Sequence, residues 1–210
     1  MWRDTAGLRD LKRCGLRAPV LAIGDGALGL WRAIRDVWPE TKERRCWVHR
    51  LRNVLDKLPK RLQAKARRAL HEIMYADCRE DAEAEIERFA EDCGAKHPKA
   101  VESLIRDQDC LLSFFDFPAE HWQHLRTTNA VESTFATVKL RQRVTKGAGS
   151  RTKALLMAFK LLDMAQKRWR RVTAPHLVAL VREGVPIHQR NSGQERCLIN
   201  SLIHDFRQYL

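Results

Sequence analysis

The feature that most restricts the fold is a short apolar run. Ala18-Pro19-Val20-Leu21-Ala22-Ile23 ends abruptly in Gly24-Asp25-Gly26. An unbroken apolar run of this length, closed by a turn, reads as a strand buried in a parallel sheet. Parallel strands need a crossover connection, usually a helix. Residues 4–14 have helical spacing, with Leu8 and Leu11 on one face and Gly15 as a stop. Residues 27–37 place Leu28, Trp31, Ile34, Val37 and Trp38 at helical intervals before Pro39. Arg44-Arg45-Cys46-Trp47-Val48 is the expected second strand. The order helix, strand, helix, strand predicts an α/β fold with parallel pairing.

The pattern then changes. From His49 to about Ala95, Leu51, Val54, Leu55, Leu58, Leu62, Ala66, Leu70 and Ile73 recur at steps of three and four, with Pro59 as a break. Further helices are expected from Asp81 to Asp92 and from Pro98 to Arg106, making residues 50–120 an all-α block. Past Pro118 come a helix ending near Arg143, a loop at Gly147-Ala148-Gly149-Ser150 and an amphipathic helix from Lys153 to Arg171. In that last helix Leu155, Leu156, Phe159, Leu162 and Trp169 are available for packing. The chain is therefore expected to be mostly helical.

Charge narrows the partner. Lys and Arg total 39 against 26 acidic residues, a net +13 that suits a polyanion, either nucleic acid or an anionic surface. No uncharged apolar run is long enough to span a membrane. The opening residues are charged and lack a signal-peptide stretch, so a cytoplasmic location is expected. Cys14, Cys46, Cys78, Cys93, Cys110 and Cys197 are scattered, which fits reduced thiols better than a disulfide framework.

Four segments can carry chemistry. Asp25 follows the end of a buried strand, where ligands collect in open α/β sheets, and its flanking glycines leave room for a metal or phosphate. Gly-Asp-Gly is equally an ordinary turn. Glu132 lies near the start of a helix; with Asn129 as N-cap it would form a variant capping box. That explains the spacing but not the preceding Arg126 and Thr127. Cys46 and His49 form a C-x-x-H pair, half of a zinc site. His121 and His124 are the only candidates for the other half, and Trp122 between them suits packing. Finally Lys139, Arg141, Arg143, Lys146, Arg151 and Lys153 surround the glycine loop, where they could neutralise DNA phosphates or simply face solvent. Lys167, Arg168, Arg170 and Arg171 form a second cluster that suits a helix C-terminus.

In order along the chain, three stretches resemble the Mutator-type transposases of bacterial insertion sequences. They are Gly24-Asp25-Gly26-Ala27-Leu28-Gly29-Leu30-Trp31, Cys46-Trp47-Val48-His49-Arg50-Leu51-Arg52-Asn53, and Trp122-x-x-Leu125-Arg126-Thr127-Thr128-Asn129-Ala130-Val131-Glu132-Ser133. The third is the most specific. The likeness runs from about residue 2 to about residue 183.

It implies a ribonuclease-H-like core with an Asp-Asp-Glu triad, in which an all-α insertion separates the second Asp from the Glu. Asp25 matches that second Asp, Glu132 the Glu, and residues 50–120 the insertion. The implied divisions are a partial core over 1–49, the insertion, core helices over 121–186 and an unplaced tail over 187–210. Cys46, His49 and Asn53 match a motif whose role looks structural or DNA-positioning rather than metal-ligating. Trp122, Arg126, Thr127, Thr128 and Asn129 match the segment leading to the Glu.

The implied cofactor is Mg²⁺ or Mn²⁺, the implied chemistry metal-assisted DNA cleavage and strand transfer. The implied partners are transposon ends, target DNA and further copies of the chain, with no membrane. The implied place is the bacterial cytoplasm, at the nucleoid when DNA is bound. The family's first Asp lies upstream of the segment matching Trp2, so this stretch is expected to carry two of three carboxylates. Two readings follow: a transposase represented by its later portion, or a non-cleaving remnant that binds DNA or a full-length enzyme. An unrelated RNA-binding helical protein would fit the charge but would leave Arg126 to Ser133 unexplained.

Overall fold

Leu21–Gly24 forms strand β1 and pairs in parallel with β2, Lys42–Arg45, in the register Leu21↔Lys42 to Gly24↔Arg45. The computed structural model describes residues 3–185, with side chains from residue 5 onward; the tail expected over 187–210 lies outside the described residues. Helix α1 (Arg3–Arg13) packs on α2 (Leu28–Val37), the crossover between the strands. Lys12 Nζ donates to the carbonyl of Val37 at 2.9 Å and so fastens α1 to the end of α2. Helix α2 buries Trp31, Ile34 and Val37, and Trp38 just past its end, as the spacing predicts; Ala33 is buried as well, whereas Leu28 points outward.

The second strand departs from expectation. It occupies Lys42–Arg45 instead of residues 44–48, and Trp47 already opens helix α3 (Trp47–Leu55). Trp47, Leu51, Val54 and Leu55 are buried on one helical face, and that burial outweighs the β-propensity of Trp47 and Val48. The strand itself is charged yet partly buried. Arg44 is fully buried, donates to the carbonyl of Leu111 at 3.3 Å and stacks 4.7 Å from the Phe114 ring. Burial pushes its guanidinium down to about 9.

The helical block follows as predicted, in shorter pieces. Helices α4 (Lys60–Tyr75), α5 (Arg79–Gly94), α6 (Pro98–Ile105) and α7 (Gln108–Leu112) lead through two 3-10 turns to α8 (Trp122–Leu125). Pro59 sits just before α4, where its missing N–H costs nothing. The main core lies here, running from Trp47 through Leu70, Ile86 and Leu104 to Phe115 and Trp122. The indole of Trp122 meets Phe114 and Phe115 edge-on and donates to the carbonyl of Phe117 at 2.7 Å.

Helices α9 (Asn129–Val144) and α10 (Arg151–Gln166) form a hairpin, followed by α11 (Leu177–Arg182). Here the packing expectation is corrected. Leu155, Leu156, Phe159 and Trp169 are all more than half exposed, and α10 ends at Gln166, short of Arg171. The hairpin's helices pack on each other, and no other described element covers this apolar face. Lys167, Arg168, Arg170 and Arg171 therefore lie beyond the helix proper. Among the described residues no helix is long and apolar enough to cross a membrane.

Candidate metal centre

Cys46 is the point at which the three sequence motifs meet. Its backbone N–H donates to the carbonyl of Gly24 at 2.9 Å, extending the β1–β2 ladder by one step beside Asp25. Its Sγ accepts from the N–H of Thr128 at 3.4 Å and lies 3.3 Å from the Thr128 hydroxyl. The next residue, Trp47, donates its N–H to the carbonyl of Arg126 at 3.0 Å. The strand end preceding Asp25 and the loop preceding Glu132 are thus pinned to the same cysteine.

Glu132 is not held by the expected capping box. Helix α9 begins at Asn129, so Thr128 rather than Asn129 is its N-cap, and no side chain caps the helix. The Thr128 hydroxyl donates to Glu132 Oε1 rather than accepting from the backbone. Sulfur and carboxylate draw that hydroxyl away from the helix amides, so Glu132 is held by Thr128 four residues before it rather than by a cap from Asn129. Asn129 is exposed, and its N–H reaches Thr127 Oγ1 at 3.4 Å.

His49, one turn into α3, completes the group. The Cys46 sulfur, a His49 ring nitrogen and a Glu132 carboxylate oxygen all lie within 4.8 Å of one another. His49 Nδ1 stands 3.8 Å from Glu132 Oε1, is shielded from solvent and makes no hydrogen bond. Burial pushes the Cys46 thiol up, but hydrogen bonding from Thr128 and His49 outweighs it and holds the thiol below the usual cysteine range. The C-x-x-H pair therefore finds a third donor in Glu132. His121 and His124 do not supply the other half: they bond to Ala174 and Thr173.

Asp25 is exposed and stands outside this group. Its Oδ1 accepts from the N–H of Ala27 at 3.0 Å, the turn that leads into α2. The space beside its flanking glycines is filled from within the chain. A Cβ on Gly24 would sit 2.8 Å from the Trp31 ring, and one on Gly26, at φ +108°, would sit 1.9 Å from Arg45 Nη1. Gly24→Ala is accordingly expected to lower stability by about 1–3 kcal/mol through overpacking against Trp31. Urea unfolding followed by tryptophan fluorescence measures this, and an unchanged midpoint would show that Trp31 yields freely.

The other motif residues are structural in their contacts. The Arg126 guanidinium lies over Tyr75, Phe114 and Trp122 at 4.8, 5.1 and 5.7 Å, and burial holds it below its ordinary value. Asn53 is exposed. Lys139, Arg141, Arg143, Lys146, Arg151 and Lys153 are all exposed along the α9–α10 hairpin, and among the described residues none pairs with a carboxylate. Lys146, Gly147 and Gly149 take positive φ in the connecting loop.

Sequence spacing could not reveal the Cys46–Thr128 contact, because 82 positions separate the two residues.

The family model described as "Transposase, Mutator family" matches residues 1–171. A transposase for insertion sequence element IS6120 of Mycolicibacterium smegmatis is 57% identical over 188 residues, covering 90% of this chain and 58% of that protein. A transposase for insertion sequence element IST2 of Acidithiobacillus ferrooxidans is 51% identical over 179 residues, covering 85% of this chain and 60% of that protein. The chain spans about three fifths of the length of these curated relatives. With the three motifs gathered at one cysteine and the family model matched from residue 1 to residue 171, the chain belongs to the Mutator family of transposases.

Proposed function

We propose that this chain contributes Asp25 and Glu132 to the metal-dependent centre of a DNA transposase, one that cuts insertion-sequence ends and joins them to target DNA. The observation that carries the reading is the attachment of both segments to Cys46, through Gly24 on one side and Thr128 on the other. The parallel β1–β2 pair, the α2 crossover and the helical block between the two carboxylates support a ribonuclease-H-like core with an all-α insertion.

The donor set fits hard divalent ions such as Mg²⁺ or Mn²⁺. Both groups are exposed carboxylates, and in each one oxygen, Oδ2 of Asp25 and Oε2 of Glu132, has no hydrogen bond among the described residues. Such ions, when bound, ease deprotonation of the attacking water or 3′-hydroxyl and stabilise the leaving oxygen. Asp25, on a strand end, and Glu132, at a helix start, hold their oxygens on rigid elements. The Thr128 hydroxyl orients Glu132, and the Arg126 stack fixes the loop that carries Thr128. The test is strand cleavage of DNA bearing the element's ends by the longest open frame that contains this chain. Cleavage should require Mg²⁺ or Mn²⁺ and fail in Asp25→Asn; cleavage in a chelator, or by that variant, would refute the reading.

The six cations of the α9–α10 hairpin are proposed to run along the DNA backbone, with several copies assembling on paired ends. Binding should then weaken as salt rises. Replacing Arg141, Arg143 and Lys146 with alanine should flatten the slope of log K against log salt by roughly 0.9 for each phosphate no longer neutralised. A slope unchanged by all three substitutions would place the DNA elsewhere.

A further inference from the structure

Cys46, His49 and Glu132 present a second kind of metal chemistry, distinct from a carboxylate pair. Three observations concern the same few ångströms. First, a cysteine sulfur, an imidazole nitrogen and a carboxylate oxygen lie within 4.8 Å of one another. Ligands around a tetrahedral zinc-sized ion stand roughly 3.4 Å apart, from bond lengths of about 2.0–2.3 Å. The His49 Nδ1–Glu132 Oε1 separation of 3.8 Å is already close to that. Second, His49 Nδ1 is buried facing Glu132 Oε1 at 3.8 Å, beyond hydrogen-bond reach, although a buried ring nitrogen ordinarily finds a close partner. Third, the Thr128 hydroxyl touches both Cys46 Sγ and Glu132 Oε1. A hydroxyl has one proton, so it can donate to only one of the two at a time. A cation held among the three donors resolves both shortfalls. It would also keep the N–H of Thr128 on the sulfur, an outer contact of the kind that orients a metal-bound ligand.

The donors select the ion. Sulfur and imidazole favour borderline ions of the zinc class over Mg²⁺ or Ca²⁺, which want oxygen. We propose that Cys46, His49 and Glu132 form a binding site for a borderline divalent ion of the zinc class, with three protein ligands and an open fourth position. The fold places Cys46 and His49 one turn apart at the start of α3 and brings Glu132 to them from α9. The site's existence is independent of the transposase reading. One consequence rests on that reading: a zinc-class ion and Mg²⁺ would compete for Glu132, so the ion would act as a brake on cleavage.

Cobalt(II) tests the site without any need for activity. Titrated into the full chain, Co²⁺ should give a thiolate-to-metal charge-transfer band and the intense visible bands of a near-tetrahedral site. Zn²⁺ should displace it, and an excess of Mg²⁺ should not. Cys46→Ser should abolish the charge-transfer band although the other cysteines remain. Should that buried substitution unfold the chain, His49→Ala and Glu132→Gln decide the matter. Each should weaken Co²⁺ binding at least about tenfold, and Glu132→Gln should keep the thiolate band. A band that survives in Cys46→Ser, or affinity unchanged in both other variants, would overturn the site. Asp25→Asn separates the two readings, because it should leave Co²⁺ affinity unchanged while removing cleavage. Cleavage lost in Asp25→Asn with no Co²⁺ site in the parent chain would refute the zinc-class site alone. A Co²⁺ site with cleavage indifferent to Asp25 would refute the Mg²⁺ centre alone.

Discussion

Glu132→Gln is expected to reduce metal-dependent strand cleavage by roughly a thousandfold, on the scale of the several kcal/mol that metal charge stabilisation supplies. Stability should change by no more than about 0.5 kcal/mol, as for exposed sites generally. The two effects separate because of where Glu132 sits. Its side chain is about half exposed (52%). Glutamine keeps the shape and still offers the Thr128 hydroxyl an acceptor oxygen. What it lacks is the negative charge that holds a divalent ion. Cleavage of labelled element ends and urea unfolding, measured on the same preparations, test both halves. Near-normal cleavage by this variant would take Glu132 out of the centre. A large loss of stability would make it a structural residue instead.

The largest effect on stability is expected from Asp107→Ala, about 3–5 kcal/mol, because it strands a buried charge. Arg50, in α3, is only 6% exposed, and its guanidinium donates to the carbonyl of Ser103 at 2.6 Å, to Ser103 Oγ at 3.2 Å and to Asp107. Asp107 also pairs with Arg45 Nε at 3.3 Å. Without that carboxylate, two guanidinium groups face each other with no counter-ion. Burial, followed by the like charges of Arg45 and Arg106, already pushes Arg50 down to about 10. The disturbance would reach the Cys46–His49 segment, since Arg50 lies one residue after His49 and Arg45 one before Cys46. Arg50→Met combined with Asp107→Ala should recover a large part of the loss, since it removes the stranded charge itself. If the double variant were as unstable as Asp107→Ala, the cost would lie in packing rather than charge.

The sequence was most legible where a single period dominates. The apolar run into Gly24-Asp25-Gly26 predicts a parallel strand and its turn, and β1 forms there. The three- and four-residue steps after His49 predict the helices that carry the core. Legibility failed where two signals overlap. Arg44 to Val48 contains β-favouring residues, yet the helical spacing that starts at Trp47 governs, and the strand retreats to Lys42–Arg45. It failed again at Glu132, where local spacing suggests a cap from Asn129. The hydroxyl that matters belongs to Thr128 and is turned toward a cysteine far away in the chain. Amphipathicity in α10 foretold apolar residues but not what they would meet; Leu155, Leu156 and Phe159 remain uncovered by any described element. The C-x-x-H pair was visible as a motif, but its third donor was not, since only the tertiary fold brings Glu132 to His49.

The most direct measurement of whether Asp25 and Glu132 share a hard divalent ion is backbone cutting by bound Fe²⁺ with ascorbate and peroxide, with and without excess Mg²⁺. The expected result is a cut beside Asp25 together with one beside Glu132, the Asp25 cut suppressed by Mg²⁺ and lost in Asp25→Asn, while any Glu132 cut that survives both belongs to the Cys46–His49–Glu132 site. Cuts beside Glu132 alone, with none beside Asp25 in the parent chain, or an Asp25 cut untouched by Mg²⁺, would contradict a shared centre.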